Sequence, residues 1–194
     1  LHLCDKNLET ISDYDSNARH KLLAEVCMAA KEEGDLIKTR YTPHQQIYGD
    51  SPSQICTMLA RSFADIGDIV RGKDLYRRDK GEKKKLEEHL KTIFGKIYKD
   101  LKTENGALQA RYNGDDNNNY SKLREDWWTA NRETVWKAMT CSDELKDNRY
   151  FRQTACNGGS PTEGYCRCNG DKPGEDKENV DPPTYFDYVP QYLR

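Results

Sequence analysis

Ser53-Gln-Ile-Cys-Thr-Met-Leu-Ala-Arg-Ser-Phe-Ala-Asp-Ile-Gly-Asp-Ile69 is the stretch on which the fold turns. Ile55, Leu59, Phe63 and Ile66 recur at helical spacing, so one face of a helix carries them all. Ser51 and Pro52 form a start signal, a capping hydroxyl followed by a residue whose φ is already set for a helix. Ala60 and Ala64, with one buried-type arginine position, fill in beside them. Alone, the pattern defines a core helix over 52–71.

Working outward, the apolar periods continue on both sides. Leu22, Leu23, Val26 and Ala30, then Leu36 and Ile37, predict an amphipathic helix from about Asn17 to Arg40, with Gly34 as a weak point and Pro43 as its stop. Leu86, Leu90, Ile93, Phe94, Ile97 and Leu101 form one stripe over 82–102, with Lys and Glu opposite. Residues 103–119, Asn-rich and polar, read as a long solvated loop. A further helix is expected from Ser121 to Thr140, where Trp127, Trp128, Val135, Trp136 and Met139 read as core in preference to a ligand cage. From 142 the composition shifts to Gly, Pro, Asp and Asn, with Cys156, Cys166 and Cys168 close together, as in a stapled, loop-rich lobe. The sequence therefore reads as all-α, a helical bundle followed by that lobe.

Charged residues make up 33% of the 194 and the mean hydropathy is −1.04, values also found in disordered chains. Three Trp, twelve Tyr and the helical periods weigh toward a folded domain with a thin core. A net charge of −2 gives no global attraction to nucleic acid or membrane. No apolar run is long enough to span a bilayer, and no secretory signal is present. The chain starts and stops inside motifs and is read as an excerpt. His2, His20, His44 and His89 lie far apart, outside any hydrolase, metalloprotease or phosphate-loop pattern, so neither catalysis nor a cofactor is expected. Seven cysteines leave one over after pairing. Cys166-Arg-Cys168 is the one close pair and is a poor zinc half-site, which favours disulfides over metal.

The strongest local charge lies between the second and third expected helices. Arg71, Lys73, Arg77, Arg78, Lys80, Lys83, Lys84 and Lys85 stand against three acids, a net +5 over fifteen residues. Such a cluster binds polyanions such as sulfated glycans; the bland alternative is a solvated helix junction balanced by Glu87 and Glu88.

Four segments carry a family resemblance: Ala60-Arg-Ser-Phe-Ala-Asp-Ile-Gly-Asp-Ile69, Trp127-Trp-Thr-Ala-Asn-Arg-Glu-Thr-Val-Trp-Lys-Ala-Met-Thr-Cys141, Asp187-Tyr-Val-Pro-Gln-Tyr-Leu-Arg194 and the opening Leu1-His-Leu-Cys-Asp-Lys-Asn-Leu-Glu9. Together they resemble the Duffy-binding-like adhesion domain, alpha class, of the malaria parasite erythrocyte membrane protein 1 family. The resemblance implies three parts: 1–15 as the end of subdomain 1, 16–141 as the helical bundle of subdomain 2, and 142–194 as the start of a cysteine-rich subdomain 3. It implies display on the outer face of the infected erythrocyte. Implied partners are host erythrocyte or endothelial receptors, heparan-sulfate-like or blood-group glycans, and antibodies, with no nucleic acid and no membrane contact by this segment. The alternative role is a structural, antigenically variable spacer beside a receptor-binding neighbour; a small secreted enzyme is a third reading without a catalytic constellation.

The resemblance also implies a Cys56–Cys141 disulfide. In a plain up-and-down bundle those positions lie at opposite ends. The 103–119 loop can reach roughly 55 Å extended, more than the ~31 Å of the 82–102 helix, so a crossover would permit the bond. Cys156 is expected to pair with Cys168 or Cys166, and Cys4 and Cys27 to pair together or to reach upstream.

Overall fold

The computed structural model describes residues 17–48, 53–75, 80–104 and 106–194. It contains helices α1 (Ala18–Tyr48), α2 (Ser53–Arg71), α3 (Lys80–Glu104), α4 (Gly106–Arg111) and α5 (Ser121–Met139). Short 3-10 turns follow at Asp115–Asn118, Asp143–Leu145, Phe186–Tyr188 and Gln191–Leu193. Among the described residues there is no strand, and the lobe after α5 carries isolated bridges such as Cys156 with Ser160. Cys4 and the 1–15 segment lie outside the described residues.

The apolar stripe of α2 is the centre of the core. Ile55, Leu59, Phe63 and Ile66 are buried, and Ile69 and Val70 extend the same packing. Phe63 meets Trp128 at 5.1 Å and Trp136 at 5.2 Å between ring centroids. Phe94 of α3 meets Trp127 edge-on at 6.2 Å. The tryptophans are thus core residues, and each buried aromatic or aliphatic side chain contributes about 1.5–3 kcal/mol of burial. All six apolar residues of the α3 stripe are buried.

Helix α1 departs from expectation in two ways. It continues through Pro43 to Tyr48. The proline deprives the Thr39 carbonyl of one donor, but packing of Ala30, Ile37 and Tyr41 into the core anchors the helix immediately before it. Gly34, expected to be a weak point, is where α1 and α5 touch: a Cβ there would stand 2.2 Å from the Met139 carbonyl oxygen. The missing side chain permits a backbone approach that no other residue allows.

The 103–119 segment is not simply a solvated loop. It forms α4 and a 3-10 turn, with the Asp115 side chain buried. The Asp115 carboxylate accepts from the backbone N–H of Lys122 (3.0 Å) and of Leu123 (2.9 Å), capping α5. A carboxylate there satisfies donors that no preceding turn can reach and meets the positive end of the helix dipole. Gly114, Asn119 and Tyr120 take left-handed φ values of 77°, 55° and 58° to bring Asp115 into place. Arg111 and the Tyr112 hydroxyl both bond Asp126, fastening α4 to α5.

The disulfide implied for Cys56 is corrected by the structure. Cys56 bonds Cys166, with Cα atoms 5.5 Å apart, and Cys156 bonds Cys168 at 5.4 Å. Cys141 is exposed and unbonded, as is half-buried Cys27. The reason lies in the path after α5. Leu145 is fully buried, its carbonyl accepts from Tyr165 N–H, and the Asn148 carbonyl accepts from Cys166 N–H. Trp136 Nε1 donates to the Cys166 carbonyl at 3.0 Å. These bonds carry Cys166 into the core beside Cys56, whereas Cys141 is left on the surface where α5 ends.

Candidate functional site

Asp187 is where the separate motifs meet. Its side chain is fully buried and accepts from Trp128 Nε1 at 2.9 Å and from Arg132 at 2.8 and 2.9 Å. Its backbone carbonyl accepts from Arg71. Trp128 and Arg132 belong to α5 and Arg71 to α2, so one residue of the final segment joins both helices. Burial works to lower the Arg132 pKa, but hydrogen bonding and charge from Asp187 outweigh it and hold the guanidinium above its ordinary value. Arg132 lies over Phe63, Tyr185 and Tyr188 at 5.2–5.7 Å from their centroids. Arg71 lies over Trp128 and Tyr188 at 5.9 and 5.5 Å. At the chain end Arg194 pairs with Asp65 at 3.0 Å and with Asp68. The three motif segments therefore recognise one another inside the fold, through cations stacked on aromatic faces.

This changes the reading of the basic segment. The Arg71 side chain is 2% exposed and pairs with Asp68 at 3.0 Å and Glu125 at 3.5 Å. Its guanidinium is engaged by Asp68, Glu125 and the Asp187 carbonyl, so it ties the fold together beneath the groove it helps to line. Lys73 is 56% exposed and also pairs with Glu125. Lys84 is 77% exposed, 3.9 Å from Glu88, and Lys85 is exposed. Arg77 and Arg78, and the side chains of Lys80 and Lys83, lie outside the described residues. Counting charges along the chain could not separate Arg71 from the lysines. Its position three residues after Asp68, on one helix face, was the available signal.

Beside the basic segment is a shallow groove of about 190 Å³ lined by Lys73, Leu75, Tyr188, Val189 and Gln191 among others. Gln191 spans it, accepting from Leu75 N–H at 2.6 Å and donating to Asp74 at 3.0 Å. Leu75, Tyr188 and Tyr192 are exposed by 65%, 45% and 74%. The surface thus joins an exposed lysine, paired with Glu125, to aromatic and aliphatic faces, a combination suited to binding a sugar or protein surface. Sequence reasoning placed the lysines but not the aromatic wall, because Tyr188 and Gln191 lie more than a hundred residues further along the chain. Among the described residues no group of His, Cys, Asp and Glu could hold a metal ion, and no helix is long and apolar enough to cross a membrane.

The whole sequence, residues 1–194, matches the Duffy binding domain family. No curated protein sequence matches the chain. Among solved structures, the NTS-DBL1(alpha-1) domain of Plasmodium falciparum membrane protein 1 (PfEMP1) from the varO strain is 41% identical over 99% of this chain, with a TM-score of 0.76. The ICAM-1-binding PfEMP1 IT4var13 DBLbeta domain is 36% identical over the full chain, with a TM-score of 0.72. A second PfEMP1 DBLb domain, solved bound to human ICAM-1, is 30% identical over 99% of the chain, with a TM-score of 0.61. The chain spans 40%, 39% and 36% of the lengths of those three. With a family match from end to end and solved relatives 30–41% identical over nearly the whole chain, the chain belongs to the Duffy binding domain family.

Proposed function

We propose that this chain is part of a host-cell adhesion module of a variant antigen on the infected-erythrocyte surface. The observation that carries the reading is its 30–36% identity, over nearly its whole length, to PfEMP1 domains described as binding ICAM-1. Its own receptor is a sulfated or blood-group glycan on host cells, contacted by the lysines between α2 and α3 together with the Tyr188–Gln191 groove. Lys73, Lys84 and Lys85 present exposed charge, and Arg77, Arg78, Lys80 and Lys83 belong to the same segment by sequence. Single exposed charges contribute little, so several must engage one repeating polyanion.

Heparin retention at graded salt tests this. Reversing Lys83, Lys84 and Lys85 to Glu should abolish retention and leave the helical spectrum intact, because the described Lys84 and Lys85 precede the apolar stripe. In the parent, retention should fall steeply as salt approaches physiological strength, where exposed charges are screened over about 8 Å. A triple variant that elutes with the parent refutes the glycan contact. A second reading, a structural support for a neighbouring receptor-binding domain, draws on the use of Arg71, Arg132, Arg124 (paired with Glu87) and Arg167 (paired with Asp171) as buried ties, which leaves less charge for a ligand.

A further inference from the structure

We propose that the cavity between α2, α3 and the turn at Asn119 is a subsite for one carboxylated sugar unit of a host glycan, with Lys91 holding the carboxylate. Resting on the glycan reading above, this subsite recognises a part of the ligand that the exposed lysines between α2 and α3 do not. The cavity measures about 270 Å³. It adjoins the Tyr188–Gln191 groove, and a short strip of chain divides the two. Lys73, Asp74 and Leu75 belong to no helix, and successive residues of an extended strip face opposite sides. Gly72 and Asp74 line the cavity, whereas Lys73 and Leu75 line the groove. Gln191 spans the groove and donates to Asp74 at 3.0 Å, which fixes the divider. A glycan lying in the groove therefore has one strip of backbone to cross before its next unit enters the cavity.

The floor of the cavity is aliphatic, made by Ile69 of α2 and by Leu86 and Leu90 of α3. The polar groups around it are unequally engaged. The buried Arg124 guanidinium takes both Glu87 oxygens, at 2.7 and 3.0 Å, and Arg124 Nε donates to the Val70 carbonyl at 2.6 Å. It fits there because Gly72 has no side chain; a Cβ at that position, with φ at +72°, would stand 3.0 Å from the guanidinium. Lys91 is half-buried one turn along α3 from Glu87, the spacing of an i,i+4 ion pair. With Glu87 committed to Arg124, Lys91 has no carboxylate partner among the described residues. The Asn119 side chain on the rim, set by a left-handed φ of 55°, likewise has no hydrogen-bond partner among them. A half-buried ammonium without a counter-ion has lost water and gained nothing in return, so it favours an anion more than a fully exposed lysine does.

This lining selects a sugar acid over other anions. The unpaired lysine matches a single negative charge, where a sulfate-crowded unit brings several. The aliphatic floor takes the C–H face of a pyranose ring. Glu87 accepts from Arg124 but a carboxylate offers about four acceptor sites, so it can also accept from a ring hydroxyl, and the Asn119 amide can both donate and accept. A fatty acid would leave these polar groups desolvated and unpaired, and inorganic phosphate would leave the floor uncovered. Lys91 thus reads the carboxylate, while Lys73, Lys84 and Lys85 read charge density. Such a unit is either a hexuronate within a glycosaminoglycan or a sialic acid at the end of a glycan; both carry one carboxylate on a pyranose ring.

The test uses the intact polypeptide that contains this chain. A heparin-derived hexasaccharide is compared with the same sugar after carboxyl reduction, which keeps its sulfates. The parent should bind the reduced form about tenfold more weakly, the worth of one charge-assisted hydrogen bond. Lys91→Gln, with its helical spectrum unchanged, should bind both forms alike at the weaker level. Reversing Lys83, Lys84 and Lys85 to Glu should weaken both forms in parallel and keep their ratio; a triple reversal without effect refutes the lysine contact and leaves the ratio to judge the subsite. Equal binding of the two forms by the parent, or a preference that Lys91→Gln retains, overturns the proposal. A second arm dispenses with sulfate. Saturation-transfer NMR with a hyaluronan tetrasaccharide and with 3′-sialyllactose should give a signal in the parent that Lys91→Gln loses, and the sugar that responds names the source, hexuronate or sialic acid. No transfer to either sugar, or transfer undiminished in Lys91→Gln, equally overturns it.

Discussion

Replacing Asp187 by Ala removes the acceptor at which α2, α5 and the final segment meet. In the parent the carboxylate is fully buried and takes two hydrogen bonds from Arg132 and one from Trp128. Arg132 would keep the Thr184 carbonyl at 2.7 Å and its stacking on Phe63, Tyr185 and Tyr188. Its charge, however, would be buried without a counter-ion. Breaking a buried pair in this way costs about 3–5 kcal/mol. The orphaned Trp128 N–H belongs to the same network, so its 1–3 kcal/mol is not simply additive. For a urea m-value of roughly 2 kcal/mol/M, the midpoint should fall by roughly 1.5–2.5 M with the slope unchanged. Amide exchange over 184–194 should rise first, since that segment loses its anchor. Adding Arg132→Met to Asp187→Ala should recover part of the loss, because the stranded charge disappears. A midpoint shift equivalent to less than about 1 kcal/mol, or no recovery in the double variant, would refute the view that this ion pair is what docks the final segment.

Further expectations follow from other contacts. Gly34→Ala should destabilise by about 1–2 kcal/mol, against the helix-propensity gain of alanine, because the Cβ would press on Met139; a raised thermal midpoint would contradict the close α1–α5 approach. Cys56→Ser opens a loop of sequence separation 110 and should cost about 2–4 kcal/mol in chemical denaturation. Cys156→Ser, whose bond spans 12 positions, should cost less. The hydrogen bond from Arg111 holds the Asp126 carboxyl below the usual carboxylate range. Its stabilisation is present above the unfolded pKa and lost as pH falls through the folded one. Parent and Asp126→Asn should therefore differ at pH 7 and converge in acid; a constant offset across the range would exclude the linkage.

The helices were legible because an apolar stripe needs no partner to be recognised. Leu86 to Leu101 and Ile55 to Ile66 declare a buried face by spacing alone. The capped turn at 112–120 was not legible, because its order rests on one carboxylate, Asp115, in a run whose composition reads as solvent-loving. Nor was the partner of Cys56. Pairing depends on where the irregular chain after Met139 travels, and the bonds that steer it, Trp136 to Cys166 and Leu145 to Tyr165, have no periodic signature. At the candidate site the lysines were readable as charge. The burial of Arg71 and the arrival of Tyr188 beside Lys73 required the tertiary structure. The motifs at 60–69, 127–141 and 187–194 were visible as separate words; their mutual contact at Asp187 explains why they belong together.

The Cys56–Cys166 bond has a mechanical consequence. Suppose tension is applied between α1 and Arg194, as hydrodynamic drag would do to a tethered cell. The segment after Cys168 can peel away, paying out at most about 90 Å. Load then reaches Cys168 and Cys166 and crosses the sulfur bridge directly to Cys56 at the start of α2. The chain between 57 and 165 hangs off this route as a covalently closed loop. Most of α2, all of α3 and α5, and the lysines at 73, 84 and 85 are therefore shielded from the pull. The helical side of the surface thus keeps its covalent frame under load, while its Tyr188–Gln191 wall leaves with the segment that peels.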